Sequence, residues 1–293
     1  PDADSFGAAI GIYRAAKTLN KKAYIVIDNP TSSIIPLMNT FRDNQDYEAD
    51  MFVNNHEAKE IMDDNTLLVV VDTNKPSITQ CEDLLYMAKM IVVLDHHRQG
   101  SDTIRNSVLS YIEPYASSAS EMVAEILQYF TEGIRIRNVE ADSIYAGIMI
   151  DTDNFMQKTG VRTFEAAAFL RRCGADVTRV RKLFREDMND YKARGETIRN
   201  AELFRGQFAI SECPSDYVDS PTVVGAQAAN ELLNIVGVKA SFVLTEYKGV
   251  IYISARAIDE VNVQIIMERL GGGGHMNASG AQFNHTDMDE AVA

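Results

Sequence analysis

The amino-acid sequence predicts an α/β fold, with a mostly parallel sheet that has helices on both faces and a smaller α+β region after it. Two observations predict the first part: short apolar runs end at residues 71 and 94, and helical patterns lie between such runs. This alternation is typical of β-α-β units, whose strands run parallel. A third observation predicts the second part, because apolar runs at 241–247 and 250–257 flank Lys248-Gly249, as in a hairpin.

The elements of the first region follow from the spacing of their apolar residues. From Phe6 to Ala16 these residues recur every three or four positions, which predicts a helix. Ser118 and Glu121 have capping-box spacing at the start of another helix, and Gly174 is placed to end a third. The predicted order is helix 5–19, strand 23–27, helices near 34–41 and 57–62, strand 67–71, helix 79–88, strand 90–94, and helices 117–132, 141–151, 163–172 and 177–188.

The second region has a different composition. Its predicted strands are 207–211, 241–247 and 250–257, and Ser220-Pro221 begins a helix as N-cap and first helical residue. A helix over 261–270 would bury Val263, Ile266, Met267 and Leu270, which leaves Asn262 and Gln264 free to point elsewhere. We therefore expect domains at 1–188 and 206–293, joined by a polar helical connector at 189–205. Residues 286–290 resemble the start of a helix, so we expect the natural chain to continue.

Composition restricts the class of protein. The 293 residues include 28 Lys and Arg against 42 Asp and Glu, a net charge of −14, which disfavours a long nucleic acid as partner. No apolar run approaches the ~20 residues of a membrane span. The three cysteines lie far apart, which disfavours a zinc site or a disulfide framework and favours a reducing cytoplasm.

Acidic and imidazole side chains follow the predicted strands. Asp95-His96-His97 comes directly after strand 90–94, Asp72 follows 67–71, and Asp28 follows 23–27. The carboxyl ends of parallel strands meet at one edge of a sheet, so such residues can gather hard divalent cations there. One of the two adjacent imidazoles can bind metal while the other faces substrate, and Asp95 can accept a ring N–H.

Three more carboxylates lie at the ends of predicted helices. Asp2 and Asp4 stand where a helix begins, and the simpler interpretation is ordinary N-capping. Asp151 stands where a helix ends, an unfavourable place for a negative charge unless a cation compensates it. Asp151 is therefore a candidate metal ligand.

Phosphate-binding features appear in the second region. Strand alternation places Ser254 and Arg256 on one face. The run of glycines at 271–274 lets backbone N–H groups approach a phosphate closely, and His275 follows it. A flexible hinge is the alternative, but a hinge needs neither the histidine nor the small residues at 278–280.

Together these residues resemble the DHH phosphoesterase superfamily with its DHH-associated C-terminal domain, whose mark is a glycine-rich GGGH segment. The resemblance spans essentially the whole chain, with the active site expected in the cleft between the two domains. The pattern Ser254-x-Arg256 and four segments also resemble cyclic-di-AMP phosphodiesterases of the GdpP type. The segments are 70–77, 94–100, 113–118 and 160–168.

The resemblance implies two divalent cations, with Mn²⁺ expected. Their ligands would be Asp2, Asp4, Asp72, His96 and Asp151, with Asp72 bridging the two ions. Among the catalytic residues, His97 would face the scissile phosphate, and Asp95 and Asp72 would support the reaction. The implied substrate-binding residues are Arg98, Ser254, Arg256, Asn262, Gly272, Gly273, Gly274 and His275.

One departure concerns the family's first motif, H-x-x-x-D-x-D. With Asp2 as its first aspartate, the histidine falls upstream of Pro1, so we expect the natural chain to begin earlier. Full-length relatives carry membrane helices and sensory domains before this module. The resemblance therefore implies a membrane-anchored parent whose catalytic module faces the cytoplasm, although this fragment itself predicts no membrane contact.

Three functions remain open from the sequence. The first is a metal-dependent phosphodiesterase that converts cyclic-di-AMP to linear pApA, using a hydroxide that bridges two cations about 3.5–4 Å apart. The second keeps the metal centre but hydrolyses short oligonucleotides, like a nano-RNase, or pyrophosphate. The third is a catalytically incomplete sensor of cyclic dinucleotides. A homodimer is one assembly that the sequence allows.

Overall fold

The computed structural model describes residues 1–185, 187–258, 261–284, 288 and 291. The chain divides into two compact units, unit 1 at residues 1–185 and unit 2 at residues 186–293. Across the described residues, no helix combines the length and the apolar character that crossing a bilayer requires. Most of the helix start predicted at 286–290 lies outside the described residues.

Unit 1 combines helices with short parallel strands. Its helices are α1 (Ala3–Thr18), α2 (Ile35–Arg42), α3 (Asn55–Ile61), α4 (Asp83–Met87), α5 (Ala119–Phe130), α6 (Asn138–Asp151), α7 (Val161–Arg172) and α8 (Val177–Leu183). Its strands are β1 (Ile25–Val26), β2 (Phe52–Val53), β3 (Leu67–Val71), β4 (Met90–Asp95) and β5 (Leu109–Ile112). Strand β1 pairs with β2, and β3, β4 and β5 form a second sheet in that order.

The parallel pairing and the helices on both faces of the β3-β4-β5 sheet confirm the predicted α/β class. Successive residues of β4 point to opposite faces. Leu94 joins the main core with α1, α5 and α6, whereas Ile91 and Val93 pack with Leu85 of α4. A sheet covered on both faces is the arrangement expected for parallel strands.

Two glycines allow helices α1, α5 and α6 to approach closely. A Cβ on Gly7 of α1 would lie 2.6 Å from both Ser120 Oγ and Ser143 O. A Cβ on Gly147 of α6 would lie 2.2 Å from the same Ser120 Oγ. This close packing brings the start of α1, the start of α5 and the last turns of α6 to one place, where the acidic residues of α1 and α6 lie.

Unit 2 is built on one mixed sheet. Its helices are α9 (Met188–Arg199), α10 (Pro221–Leu232) and α11 (Val263–Arg269), and its strands are β6 (Glu202–Phe204), β7 (Phe208–Cys213), β8 (Ala240–Tyr247), β9 (Val250–Ala257), β10 (Gly273–His275) and β11 (Ala278–Asn284). The strand order is β10-β11-β9-β8-β7-β6, and within it β7 and β8 run parallel. The connector predicted at 189–205 corresponds to most of α9 together with β6.

Each face of this sheet has its own core. Helices α9 and α10 cover one face, where Ala209 and Val243 are buried with Val224 and Leu232. Helix α11 covers the other, where Val263 and Met267 pack against the inward residues of β8 and β9. The predicted hairpin is confirmed: Lys248 and Gly249 have φ of 53° and 74°, as a two-residue turn between twisted strands requires.

Several element predictions were wrong in extent. Strand 23–27 is reduced to β1, helix 79–88 to α4, and helix 177–188 ends at Leu183. The next helix begins at Met188 because the Asp187 carboxylate caps it, accepting a hydrogen bond from Asn189 N at 2.7 Å. In α11, Ile266 and Leu270 are exposed, so the buried stripe is narrower than predicted.

Candidate metal centre

The paired parallel strands β3 and β4 of unit 1 place Asp72 beside Asp95-His96-His97. Val71 is in register with Leu94, and Asp72 N donates to Leu94 O at 2.9 Å. The chain then turns sharply at Asp72, whose φ of 61° lies in the left-handed region. Few non-glycine residues adopt this conformation, although aspartate tolerates it better than most, and such strain is concentrated at functional sites.

Helix α1 contributes Asp4, and each oxygen of the Asp4 carboxylate accepts a hydrogen bond. Asp4 Oδ2 accepts a hydrogen bond from Ala119 N at 2.7 Å, and Oδ1 accepts one from Ser120 N at 2.8 Å. These donors are at the amino end of α5, where the helix dipole favours a negative charge. Asp2 has the simpler role foreseen for it as N-cap of α1, accepting from Ser5 N at 3.0 Å.

The buried imidazole of His96 lies among three carboxylates. Its Nε2 atom is 3.3 Å from Asp72 Oδ1, 3.5 Å from Asp151 Oδ2 and 3.7 Å from Asp4 Oδ2. Four segments that are far apart in sequence therefore converge on one point. Asp151, the last residue of α6, is held there with its carboxylate toward the cluster, as its unfavourable place at a helix end suggested.

Two overlapping groups have ligand atoms close enough to share an ion. One comprises Asp72, His96 and His97, and the other Asp4, His96 and Asp151; within each, the ligand atoms lie within 4.8 Å of one another. In the described part of the chain, Asp72 Oδ1 and His96 Nε2 are buried without any hydrogen-bond partner. Buried polar atoms normally have partners, so these two atoms mark a place for a ligand.

The electrostatics of the cluster are unfavourable for the protein alone. Burial, followed by the charges of Asp4 and Asp2, raises the pKa of Asp72 to about 10. Burial and the charge of Asp4 raise the pKa of Asp151 to about 6, and burial also raises the pKa of Asp4. A divalent cation would compensate for both causes, because its positive charge stabilises ionised carboxylates that are buried close together, and carboxylate and imidazole groups are ligands of such cations. The residues present therefore fit a metal site.

His97 occupies a different environment from His96. Its ring is more than half exposed, and its Nδ1 lies 2.8 Å from Asp95 Oδ1. A carboxylate only accepts, so Nδ1 donates and Nε2 is the ring nitrogen left to face solvent. The hydrogen bond that His97 donates to Asp95 raises the pKa of His97. The sequence interpretation of the two histidines thus agrees with their burial, and Asp95 does accept a ring N–H.

The strand-end pattern alone included one residue too many. Asp28 follows β1 but is absent from the described metal-capable groups. Its Oδ1 accepts a hydrogen bond from Asn55 N at 3.2 Å, at the start of α3. Strands β1 and β2 form a separate sheet, so their carboxyl ends do not meet those of β3 and β4. Arg98, a predicted substrate-binding residue, is exposed just after the histidines.

In unit 2, a cavity of about 580 Å³ contains some of the predicted substrate-binding residues. Ser254, Gly272 and Gly273 line it, together with Tyr252 and Gln282. Ser254 and Arg256 lie on one face of β9 as predicted, and Arg256 Nε donates to Asn230 Oδ1 of α10 at 2.9 Å. Gly274 and His275 continue into β10, which pairs with β11.

Part of the predicted phosphate site has a structural explanation. Asn262 was expected to be free, but its Oδ1 caps α11 by accepting from Gln264 N at 3.0 Å and Ile265 N at 3.4 Å. A Cβ on Gly272 would lie 2.1 Å from Gly280 O, so this glycine is required for packing against β11. Gly273 has open space at the same position, and its backbone is accessible.

The sequence interpretation missed Asn74 and the donors at 119 and 120. Asn74 is almost fully buried in the turn after β3, and its Nδ2 donates to Asp95 Oδ2. Its position two residues after Asp72 was the only signal in the sequence. The backbone donors at the start of α5 were interpreted as belonging to a helix cap alone, since nothing in the sequence places Asp4 beside them.

Two known families match this chain. Residues 1–148 match the DHH family, N-terminal domain, and residues 208–293 match the DHHA1 domain. The chain belongs to the DHH family. The predicted DHH superfamily membership is thereby confirmed.

Among relatives of this DHH protein, a cyclic-di-AMP phosphodiesterase GdpP from Bacillus subtilis is 42% identical over all of this chain and 45% of its own length. The cyclic-di-AMP phosphodiesterase PdeA of Listeria monocytogenes is 38% identical, over 99% of this chain and 44% of its own length. The chain thus spans less than half the length of these relatives. The bifunctional oligoribonuclease and PAP phosphatase NrnA of Thermus thermophilus is 26% identical, over 99% and 84%.

Solved structures show the same fold for this DHH protein. An exopolyphosphatase-related protein from Bacteroides fragilis superposes with a TM-score of 0.80 at 23% identity, covering 100% of this chain and 86% of its own. The putative family II inorganic pyrophosphatase of Methanococcus jannaschii gives a TM-score of 0.51 at 16% identity, covering 100% of this chain and 94% of its own. At these identities the likeness concerns the fold alone.

Proposed function

We propose that the chain is a metal-dependent phosphodiesterase that hydrolyses cyclic-di-AMP to linear pApA. The observation that carries the proposal is the convergence of Asp4, Asp72 and Asp151 around the unpartnered Nε2 of His96. The similarity to two cyclic-di-AMP phosphodiesterases, 42% and 38% identical along the whole chain, supports the choice of substrate.

The proposed ligands are Asp2, Asp4, Asp72, His96 and Asp151, and the proposed metal is Mn²⁺. Oxygen ligands with one imidazole suit manganese and other divalent ions of similar size. A zinc site rich in thiolates would have a different set of ligands. When bound, such ions would lower the pKa of a water molecule and neutralise charge on the phosphate. Asp2 lies near enough for its charge to raise the pKa of Asp72.

We assign the proton chemistry to His97. Asp95 holds the ring through Nδ1, so Nε2 faces outward and can hold a proton for the departing ribose oxygen. Asp95 remains ionised: burial raises its pKa, but the hydrogen bonds from His97 and Asn74 outweigh burial and leave the pKa below its ordinary value. An ionised Asp95 stabilises the protonated imidazole, which a general acid requires.

In unit 2 we propose that Ser254, Arg256, Gly273 and His275 bind part of the nucleotide. The cavity lined by Ser254 and Gly273 supports this role. For unit 1 we propose that Arg98, exposed just after the histidines, is a further substrate-binding residue. Asn262, Gly272 and Gly274 remain predicted binding residues, although the first two already have structural roles. The net charge of −14 favours a small substrate over a long nucleic acid.

We also propose that the module works in the cytoplasm. The structure describes Cys81, Cys173 and Cys213 as free thiols, which is typical of a reducing compartment.

Hydrolysis of short oligonucleotides is the second candidate function. The NrnA protein of Thermus thermophilus, an oligoribonuclease by name, aligns with 99% of this chain and 84% of its own length. A substrate comparison separates the two candidates: rates on cyclic-di-AMP, cyclic-di-GMP, linear pApA and pyrophosphate are measured with Mn²⁺, and the products are identified by mass.

The proposal predicts that cyclic-di-AMP is cleaved fastest and that pApA accumulates. Faster cleavage of pApA would instead favour hydrolysis of short oligonucleotides as the function. His96→Ala should abolish turnover. His56→Ala is the matched control, because it replaces an exposed histidine of α3, and it should leave turnover unchanged. Tight binding of cyclic-di-AMP without hydrolysis under every metal would instead indicate a sensor.

A further inference from the structure

Asn74 is a buried polar residue in an otherwise accessible turn. It lies two residues after Asp72 and is 3% exposed, while Lys75 beside it is exposed. Its backbone carbonyl accepts a hydrogen bond from Ile104 N at 2.9 Å, which fixes the turn independently of the side chain. The side chain is therefore not needed to hold its own loop, and its contacts must be explained separately.

The amide nitrogen of Asn74 has two acceptors. Nδ2 donates to Asp95 Oδ2 and, at 3.3 Å, to the backbone carbonyl of His97. The opposite orientation of the amide would place an oxygen against both acceptors, so the nitrogen must face them. Asn74 thus contacts the carboxylate that holds His97 and the backbone of His97 itself.

Asp95 is consequently held at both oxygens. Oδ2 accepts from Asn74, while Oδ1 accepts from His97 Nδ1 at 2.8 Å and from His97 N at 3.1 Å. A carboxylate bound only through Oδ1 could rotate about its Cβ–Cγ bond and release the ring. The Asn74 amide opposes this rotation.

The amide oxygen of Asn74 lowers the stability of the fold, and a role in holding the loop does not explain why such a residue is present. In the described part of the chain, Asn74 Oδ1 is buried with no hydrogen-bond partner, as are Asp72 Oδ1 and His96 Nε2 of the metal cluster. A buried acceptor without a partner destabilises a fold, and residues of this kind are concentrated at functional sites. The hydrogen bond to Asp95 explains why an asparagine is nevertheless present at this position.

We infer that Asn74 is a positioning residue for the reaction, acting through Asp95 to hold the His97 ring with Nε2 toward the substrate. This inference rests on the proposed function, because it assumes that His97 transfers a proton. Asn74 itself touches neither the ring nitrogens nor, in this inference, the substrate, so its loss should affect turnover and leave substrate binding unchanged.

The test is steady-state kinetics of the whole chain with Mn²⁺, on whichever of the four compounds named above (cyclic-di-AMP, cyclic-di-GMP, linear pApA and pyrophosphate) the unaltered chain hydrolyses. Asn74→Leu keeps the volume but removes the donor, and kcat should fall ~10–100-fold with KM unchanged, the usual loss when an outer hydrogen-bond partner is removed. Asn74→Ala makes room for a water that can donate to Asp95, so its loss should be smaller. If Asn74 had a merely structural role, Asn74→Ala should lose more kcat than Asn74→Leu, since Ala leaves a cavity.

Dependence on Asp95 is tested by combining the substitutions. In an Asp95→Ala background, Asn74→Leu should lower kcat no further, because the link to His97 is already broken. Asn55→Leu is the matched control: Asn55 Nδ2 donates to Gln80 O at 2.9 Å and its Oδ1 is likewise buried without a described partner, but none of its described hydrogen bonds involves Asp95 or His97. Its kcat should equal that of the unaltered chain.

Several outcomes would overturn the inference. These are an unchanged kcat for Asn74→Leu, a rise in KM in place of the fall in kcat, or an equal further loss in the Asp95→Ala background. If Asn74→Leu does not fold, Asn74→Ala decides, and a kcat equal to that of the unaltered chain refutes the role. No turnover of any of the four compounds by the unaltered chain would refute the proposed function, and this inference with it.

Discussion

The metal cluster of unit 1 and the glycine-rich segment of unit 2 differ in how their polar groups are satisfied. Around His96, atoms such as Asp72 Oδ1 are buried without partners, and like charges face each other. In unit 2, Asn262 caps a helix, Arg256 bonds Asn230, and Gly272 packs against β11. The first arrangement is unstable without a ligand, whereas the second is stable by itself.

This difference shows what each region can reveal about function. Groups that the protein leaves unsatisfied need an external partner, so the cluster points to a cation without reference to any relative. Groups that already have a structural role give no such indication, and their binding role must be tested by substitution. Four predictions test the contrast, in order of decreasing effect.

The largest effect is expected for His97→Ala. Removing the proposed proton donor should lower kcat by ~10²–10⁴-fold, the range typical of general acid catalysis. Because His97 is more than half exposed and the proposed ligand is His96, the rise in Tm on adding Mn²⁺ should stay the same. Kinetics and thermal unfolding of one sample check both parts, and loss of the metal-dependent rise in Tm would place His97 among the ligands.

The second prediction concerns stability without metal. Asp72→Asn removes a carboxyl group whose ionisation is opposed by burial and by the charges of Asp4 and Asp2, so the chelator-treated protein should gain about 1–3 kcal/mol in free energy of unfolding at neutral pH. Added Mn²⁺ should then stabilise the variant much less than the unaltered chain. Urea unfolding in chelator and in Mn²⁺ measures both quantities.

Asp50→Asn is the control for this experiment, because Asp50 is exposed on the surface of unit 1. It should change the free energy of unfolding by no more than about 0.5 kcal/mol. A metal-free Asp72→Asn protein that is less stable than the unaltered chain would contradict the view that the cluster is strained.

The third prediction separates packing from binding in unit 2. Gly272→Ala places a Cβ against Gly280 O and should cost about 1–3 kcal/mol of stability. Gly273→Ala meets open space, so stability should change little, but a methyl group there would keep a phosphate from the backbone and raise KM. Urea unfolding and Michaelis–Menten kinetics of both variants test this, and an unchanged KM for Gly273→Ala would leave the glycines with a structural role only.

The smallest effect is expected for Asn262→Ala. Loss of the cap on α11 should cost about 1 kcal/mol, as is usual for an N-cap asparagine. Asn262→Asp, or Asn262→Ser, keeps the capping oxygen and should restore stability. If these variants restore the free energy of unfolding but not KM, the Asn262 amide nitrogen binds substrate. The structural role of Asn262 would then not be its only role, contrary to the comparison of the two units.

Much of unit 1 could be predicted because its strands are apolar and its helices periodic. Strand β4 was expected at 90–94 and extends over Met90–Asp95, with the histidines at its end. Strand β11 was missed, because Ala278, Ser279 and Gly280 have low strand propensity. These residues form a strand since β9 supplies hydrogen-bond partners along their whole length, which no local pattern can show.

The sequence by itself determined the chemistry of the candidate site: the aspartates and histidines, the strands and helices that carry them, and the net negative charge that disfavours a long nucleic acid. Only the tertiary structure decided which of them meet. It excluded Asp28, added Asn74, and gave Asn262 to a helix cap. The physical reason is that residue type and local spacing fix what a side chain can do, whereas packing over long sequence separations decides which partners it reaches.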